Sequence, residues 1–292
     1  MIMTSTSPRD EVDTGVAAVS YKDPEAPRLF AESLRRTGFG VLRDHPIPQE
    51  LIETIHGEWL DFFKSDAKHA YAYDKEKQDG FFSTAVSETA KGSTKKDTKE
   101  FFHCFPAGRY PAEVSDAAKR YYAAASALAA ELLSWVEMHT PSDIRARLSM
   151  PLPDMIKDSP QTLLRILHYP PLTGNEEDGA LRAAAHEDIN LLTVLPASNE
   201  RGLQLLTENG EWGYVPSDHG SLVINIGDML QEATGGYYKS TTHRVANPVG
   251  ESARRSRVSL PVFLQPRSDV VLSERYTAGS YLEERLRELG VK

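Results

Sequence analysis

The chain has 292 residues, of which 40% are hydrophobic and 26% are charged, and its formal net charge is -9. A chain of this length can bury one large hydrophobic core or two small ones. The acidic balance disfavours binding to nucleic acid, because neutralising phosphates requires clustered lysines and arginines. We therefore expect no nucleic-acid partner.

The chain contains a single cysteine, Cys104, so no intrachain disulfide is possible. This fits a reducing compartment. The first residues lack the apolar segment of a secretory signal, and no stretch reaches the roughly 18 apolar residues of a membrane span. We expect a cytoplasmic protein without a membrane partner, and we favour a monomer.

Helices dominate the predicted elements of the front half, where apolar residues recur at helical spacing. The three predicted helices cover residues 24–37, 48–64 and 115–137. Short strands are predicted at 40–43 and 100–105. Residues 65–98 are rich in lysine, aspartate, serine and glycine, and we expect them to form an irregular, mobile lid.

The pattern changes after about residue 160 to short β-rich runs separated by turn signals, which is typical of a sandwich or barrel. The predicted strands are 163–169, 183–188, 191–195, 203–207, 212–215, 222–226, 241–246 and 258–264. A brief helix at 227–230 lies between two of these strands, and a last helix covers about 278–289. The expected fold class is mixed α+β.

Two histidines and one aspartate suggest a metal site. His186 and Asp188 stand one residue apart in A-H-E-D-I-N, and His243 follows in T-T-H-R-V. Residues i and i+2 of a strand share a face, so His186 and Asp188 can reach one ion. Two imidazoles and a carboxylate are the ligands that leave adjacent positions open on non-haem Fe(II). A lone H-x-D often arises by chance, as a histidine bonded to a strand-end carboxylate, but the ordered set favours a metal.

A second polar motif follows in S-R-V-S-L-P-V-F, where Arg257 and Ser259 stand on a predicted strand. An arginine can bind a carboxylate through two parallel hydrogen bonds, and a nearby hydroxyl can add another. Arg254 and Arg255 are weaker candidates, because they lack the following serine and the apolar strand. The segment between His243 and Arg257 is interpreted as a long hairpin.

These motifs resemble the iron- and 2-oxoglutarate-dependent dioxygenases of the isopenicillin N synthase-like family. The matching segments are R-I-L-H-Y-P-P, H-E-D-I-N-L-L-T-V-L, G-L-Q-L-L, V-I-N-I-G-D-M-L-Q, Y-K-S-T-T-H-R-V and R-V-S-L-P-V-F. They cover about residues 162–266, and T-G-F-G-V-L-R-D-H-P-I in the front half matches more loosely. The segment between His243 and Arg257 is a few residues longer than in most members.

The resemblance implies a double-stranded β-helix, or jelly roll, flanked by helices. It implies that His186, Asp188 and His243 bind Fe(II), while Arg257 and Ser259 bind the distal carboxylate of 2-oxoglutarate. Tyr169 matches a position that often bonds the same co-substrate.

The resemblance also predicts how the chain is organised. We expect a single catalytic unit, residues 1–292, with a helix and strand region at 15–110, a jelly-roll core at 160–266 and a C-terminal helix at 276–292.

The implied reaction is oxidation of a small molecule, most simply its hydroxylation, with O2 consumed and succinate and CO2 released. An amino acid or a secondary metabolite is the expected kind of substrate. Asp188 argues against halogenation, because related halogenases lack this carboxylate. Two alternatives stay open at this point. One is an iron oxidase that uses O2 without 2-oxoglutarate, and the other is a silent binding protein on the same scaffold.

Candidate substrate residues are Arg165, Phe102 and His103. Arg165 suits a substrate carboxylate, although a structural ion pair is an equal alternative. Phe102 and His103 lie in the aromatic run E-F-F-H-C-F, where Phe101 and Phe105 are further candidates, and where simple core packing is the alternative. Asn225, His219 and His168 are expected to be structural.

Overall fold

The helices match the sequence pattern closely. The structure is a computed structural model that describes residues 12–74, 77–84, 99–174, 176, 180–198 and 201–288. The α-helices are α1 Ala26–Thr37, α2 Gln49–Lys64, α3 Ala117–Met138, α4 Ser142–Arg145, α5 Leu152–Ile156, α6 Asp228–Ala233 and α7 Ala278–Glu288. Gly38 ends α1 with φ of 73°, the left-handed conformation that glycine adopts without cost. Within the described residues, no helix is long and apolar enough to cross a membrane.

The strands are short, between three and seven residues each. They are β1 Ala18–Ser20, β2 Phe39–Arg43, β3 Gly80–Phe82, β4 Glu100–Cys104, β5 Leu163–Tyr169, β6 Ala183–His186, β7 Leu192–Pro196, β8 Leu203–Leu206, β9 Trp212–Tyr214, β10 Leu222–Ile226, β11 His243–Val245, β12 Arg257–Ser259 and β13 Val262–Leu264. Two further short segments, Asp66–Tyr71 and Gly250–Arg254, are 3-10 helices.

Two sheets carry these strands. The main sheet has the order β1-β2-β10-β7-β13-β5-β4-β3, with β12 also paired to β5, and the smaller sheet has the order β6-β11-β8-β9. Every pairing is antiparallel except that of β1 with β2. The sheets face each other, since the Phe39 ring on β2 contacts the His243 ring on β11 at 5.5 Å. The fold is the predicted jelly roll, and the front half contributes β1 to β4 at both ends of its main sheet.

Several predicted boundaries were wrong. Residues 80–82, placed in the irregular lid, form strand β3, while residues 85–98 of that lid lie outside the described part. The predicted strand 258–264 is divided at Pro261, which has no N–H to donate to a sheet. The segment from His243 to Arg257 is not a hairpin, because β11 belongs to the smaller sheet and β12 to the main one.

Strand alternation gives the main sheet an outer face towards the helices and an inner face towards the smaller sheet. On β4, Phe102 is fully buried on the outer face, where its ring contacts Trp59 and Phe62 of α2 at 5.2 and 6.0 Å. Its neighbours Phe101 and His103 have the opposite orientation. The assignment of Phe102 to the substrate pocket is therefore corrected, because it packs in the helical core.

Replacing Phe102 with alanine should lower the free energy of unfolding by about 3–5 kcal/mol, the usual cost of emptying a buried aromatic site. Urea denaturation followed by circular dichroism measures this. Val249→Ala is the matched control, since Val249 is 87% exposed and its loss should cost almost nothing. A loss below about 1 kcal/mol for Phe102→Ala would contradict its placement in the core.

Candidate active site

His186, Asp188 and His243 come together at the edge of the smaller sheet. His186 is the last residue of β6, and it lies directly opposite His243, the first residue of β11. Asp188 follows two residues later, beyond the end of the strand. One potential ligand atom from each residue lies within 4.8 Å of the others. Asp188 Oδ1 is 3.6 Å from His186 Nε2 and 3.7 Å from His243 Nε2.

Both imidazoles are oriented through their other nitrogen. Nδ1 of His186 lies 2.8 Å from the carbonyl of Ala184, and Nδ1 of His243 lies 3.0 Å from the carbonyl of Thr241. A carbonyl only accepts, so each Nδ1 carries the proton and each Nε2 keeps a lone pair. That tautomer is the one a metal requires, and such backbone partners commonly orient histidine ligands.

The Asp188 carboxylate is held from the main sheet. Its Oδ2 accepts hydrogen bonds from Thr193 Oγ1 on β7 at 2.5 Å and from Asn225 Nδ2 on β10 at 2.8 Å. Oδ1 is then the atom that faces the two histidines. Thr193 was not among the residues predicted from the sequence, and Asn225 was predicted only to be structural. A single polar residue inside each apolar strand, in L-T-V-L and V-I-N-I, was the available signal.

The electrostatics of the cluster favour a neutral His186 beside an ionised Asp188. Burial and the nearby His243 lower the pKa of His186 to about 4 against the pull of Asp188, although part of the side chain, 36%, stays exposed. Burial alone would raise the pKa of Asp188, but the two histidines and the bonds from Asn225 and Thr193 outweigh it and lower that pKa. Neutral imidazoles beside a carboxylate are donors that suit non-haem Fe(II).

Arg257, Ser259 and Tyr169 lie together on the inner face of the main sheet. Arg257 is opposite Tyr169 in the pairing of β12 with β5, and its guanidinium carbon is 5.8 Å from the centre of the Tyr169 ring. Arg257 and Ser259 are each only 8% exposed. A Cβ on Gly202 would lie 2.9 Å from Nη1 of Arg257, so glycine leaves the guanidinium its space.

The other arginines differ in position. Arg254 and Arg255 are exposed, and Arg255 pairs with Glu251 at 3.6 Å. Neither is therefore placed like Arg257. Arg182 was not predicted from the sequence, but it is 1% exposed and its guanidinium carbon lies 5.6 Å from the centre of the Tyr169 ring. Its place just before A-A-A-H was the only signal.

A buried polar network supports the same strands from the outer face. Glu100 on β4 accepts a hydrogen bond from His168 Nδ1 at 2.8 Å and forms an ion pair with Lys68 at 3.2 Å. His168 Nε2 lies 3.1 Å from the hydroxyl of Ser256, the residue before Arg257. Burial opposes ionisation of Glu100, but these partners outweigh it and lower the pKa of Glu100. His168 thus braces the start of β12.

The remaining substrate candidates, Arg165 and His103, lie side by side on the inner face. Arg165 is opposite His103 in the pairing of β5 with β4 and donates from Nε to His103 Nε2 at 2.9 Å. His219 is exposed and lies 3.5 Å from Glu53.

Comparisons with known proteins agree with this geometry. Residues 160–266 match the 2OG-Fe(II) oxygenase superfamily, and residues 17–123 match the N-terminal region described as non-haem dioxygenase in morphine synthesis. The chain therefore belongs to the 2OG-Fe(II) oxygenases. Enzymes of this superfamily are oxidoreductases that use Fe(II), 2-oxoglutarate and O2.

Individual relatives come from several organisms. A bifunctional coumaroyl CoA and feruloyl CoA ortho-hydroxylase of Ipomoea batatas is 31% identical over 265 residues, which cover 86% of this chain and 70% of the relative. Gibberellin 2-beta-dioxygenase 1 of Arabidopsis thaliana is 27% identical over 264 residues, which cover 86% of this chain and 78% of the relative. A crystal structure from Shewanella oneidensis has a TM-score of 0.87 and 55% sequence identity to this chain. It is described only provisionally as an oxygenase, and the match covers 95% of this chain and 99% of the Shewanella chain.

The pKa of His186, lowered by burial, predicts a pH dependence of the metal-free protein. The unfolded chain protonates this histidine near pH 6.5, whereas the folded chain resists protonation until about pH 4. The stability that a neutral His186 contributes is therefore fully present above pH 6.5 and is lost as the pH falls towards 4.

Melting temperatures measured across this range should fall less steeply for His186→Gln than for the wild type. His219→Gln, at an exposed histidine, should keep the wild-type slope, and equal slopes for all three proteins would contradict the prediction.

Proposed function

We propose that this protein hydroxylates a small molecule, such as an amino acid or a secondary metabolite, in a reaction that depends on Fe(II) and 2-oxoglutarate. The observation that carries the proposal is the orientation of the three ligand atoms, Nε2 of His186, Nε2 of His243 and Oδ1 of Asp188, towards one another. The names of the Ipomoea and Arabidopsis relatives, a hydroxylase and a dioxygenase of small molecules, support the same reaction class.

In this proposal His186, Asp188 and His243 hold the iron. Their three donors leave the other positions of the ion for 2-oxoglutarate and O2. When bound, the iron and 2-oxoglutarate supply the oxidising chemistry: 2-oxoglutarate and O2 become succinate and CO2, and one oxygen atom enters a C–H bond of the substrate. The bonds from Thr193 and Asn225 to Oδ2 keep the carboxylate from rotating, so the same oxygen always faces the metal.

Arg257 receives the distal carboxylate of 2-oxoglutarate, with Ser259 and Tyr169 adding hydroxyl groups. A guanidinium fixes a carboxylate by paired, charge-assisted hydrogen bonds, which set orientation as well as affinity. The low exposure of Arg257 strengthens such bonds, because the surroundings screen charge less than water does. We place the enzyme in the cytoplasm, since its single cysteine suits a reducing environment.

His168 acts as a positioning residue in this account. It touches Ser256 on one side and the buried Glu100 on the other, so it fixes the backbone that carries Arg257. Its ring also stacks on Phe63 of α2 at 5.2 Å, which holds the imidazole in place.

The first test is formation of succinate by the purified protein with Fe(II), 2-oxoglutarate, O2 and a panel of amino acids and small aromatic acids. His186→Ala, Asp188→Ala and His243→Ala should each abolish Fe(II)-dependent succinate, because each removes one donor of the metal. His219→Ala is the matched control and should keep full activity. O2 consumption without succinate would overturn the co-substrate assignment, and activity in any of the three ligand variants would refute that ligand.

The second test separates the binding of 2-oxoglutarate from the chemistry that follows. Arg257→Ala should raise the KM for 2-oxoglutarate at least about tenfold, because losing a charged hydrogen-bonding partner costs about 1.5–3 kcal/mol. His168→Phe keeps the stacked ring but loses both hydrogen bonds, so we expect an increase of about two- to tenfold in the same KM with little change in kcat. A fall in kcat with an unchanged KM would contradict the positioning role of His168.

A further inference from the structure

The turn that follows α1, residues 37–39, lies against the segment that carries His243. Thr241, two residues before that histidine, donates a hydrogen bond from Oγ1 to the carbonyl of Thr37 at 3.0 Å. The two threonines are 204 positions apart in the chain, so this bond joins the front half to the catalytic half. Glycine at position 38 permits the approach, because a Cβ on Gly38 would lie only 2.8 Å from Cβ of Thr241.

The turn is itself held by several hydrogen bonds. Ser33 in α1 is buried, and its hydroxyl donates to the carbonyl of Phe39 at 2.8 Å. The N–H of Phe39 donates to Oγ1 of Thr37 at 3.1 Å. The carbonyl of Gly38 accepts from the N–H of Ile226 on β10 at 2.9 Å, which fixes the turn to the main sheet. The carbonyl of Thr37 is therefore an acceptor with a fixed position.

The contact reaches the metal cluster through the backbone of Thr241. Its carbonyl is the acceptor for Nδ1 of His243 at 3.0 Å, and that bond leaves Nε2 of His243 with a lone pair. A Thr241 side chain held on Thr37 restricts backbone rotation at the same residue, and so fixes the direction of its own carbonyl. Phe39 contacts the imidazole directly, edge to face, with ring centres 5.5 Å apart and planes 80° apart. The turn thus contacts both the imidazole and the residue that orients it.

We infer that Thr241 is a positioning residue for the metal ligand His243, and that the turn after α1 sets the orientation of the imidazole through it. The inference rests on the proposed function, because it requires His243 to bind the metal. Without the bond to Thr37, the carbonyl of Thr241 can turn away from Nδ1. The imidazole can then rotate, or carry its proton on Nε2, the nitrogen that must be bare to bind a metal. The N-terminal region, residues 17–123, thereby takes part in the metal site.

The affinity of matched variants for a metal tests the inference. Thr241→Val keeps the shape of the side chain but removes the hydroxyl, whereas Thr241→Ser keeps the hydroxyl. Thr140→Val is the matched control, because Oγ1 of Thr140 also donates to a carbonyl near the end of a helix, that of Val136 in α3, at 2.7 Å. Calorimetry with Mn(II), without 2-oxoglutarate, would measure the Kd of each variant after circular dichroism has shown it to be folded.

We expect Thr241→Val to raise the Kd for Mn(II) about tenfold, the usual effect of losing a group that orients a metal ligand. Thr241→Ser and Thr140→Val should both stay close to the wild type, the first because the bond remains and the second because its bond does not hold a ligand. Equal Kd values for Thr241→Val and Thr140→Val would overturn the inference. A loss of affinity in Thr241→Ser as large as that in Thr241→Val would overturn it too.

The proton on His243 gives a second readout, which a merely structural role would not move. Nitrogen NMR of the metal-free protein with labelled histidines, assigned by comparison with His243→Gln, would report which ring nitrogen is protonated. The wild type and Thr241→Ser should carry the proton of His243 on Nδ1, and Thr241→Val should show a mixture of both tautomers. An unchanged tautomer in Thr241→Val would overturn the route through the Thr241 carbonyl.

The wild type and His243→Ala separate this inference from the proposed function. A wild-type protein that binds no Mn(II), or binding that is unchanged in His243→Ala, would reject the proposed metal site and with it the proposed function. Binding that depends on His243 but not on the hydroxyl of Thr241 would reject only the positioning role.

Discussion

The arrangement depends on one constraint: the Asp188 carboxylate must be held by the main sheet while it faces two histidines of the smaller sheet. Thr193 and Asn225 meet this constraint with two hydrogen bonds to Oδ2. The inner faces of both sheets must therefore keep their register, because a slip of one residue would turn either side chain to the outer face. The jelly roll provides this register through the antiparallel pairing of β10 with β7 and of β11 with β6.

Strand β5 shows how one short strand separates stability from chemistry. Leu164, Ile166 and His168 face the helices, where His168 joins a buried ionic network. Arg165, Leu167 and Tyr169 face inward, on the side of the sheet where we place the substrate and the co-substrate. The strand thereby couples the packing of α2 to the position of Arg257. The cost is a buried carboxylate, Glu100, which must keep both of its partners.

Much of this arrangement could be predicted from the sequence, because the relevant signals are local. Helical spacing located α1, α2, α3 and α7 to within about two residues, and residue type with order identified the histidines and aspartate that cluster here. The outward face of Phe102 could not be predicted, because E-F-F-H-C-F is aromatic on both faces and only pairing with β5 decides which side is inside. The roles of Thr193 and Asn225 could not be predicted for a related reason. Both residues bond Asp188, which is separated from Thr193 by a turn and from Asn225 by several strands of the sequence. The segment from His243 to Arg257 passes from the smaller sheet to the main sheet, and no local sequence pattern predicts such a change of sheet.

The most direct test of the central claim is an anaerobic titration of the Fe(II)-loaded protein with 2-oxoglutarate, followed by visible absorption. If His186, Asp188 and His243 hold the iron beside Arg257, a metal-to-ligand charge-transfer band should grow and saturate with 2-oxoglutarate. The band should be absent in Asp188→Ala and should require more 2-oxoglutarate in Arg257→Ala. An Fe(II)-loaded wild-type protein that shows no such band would contradict the account.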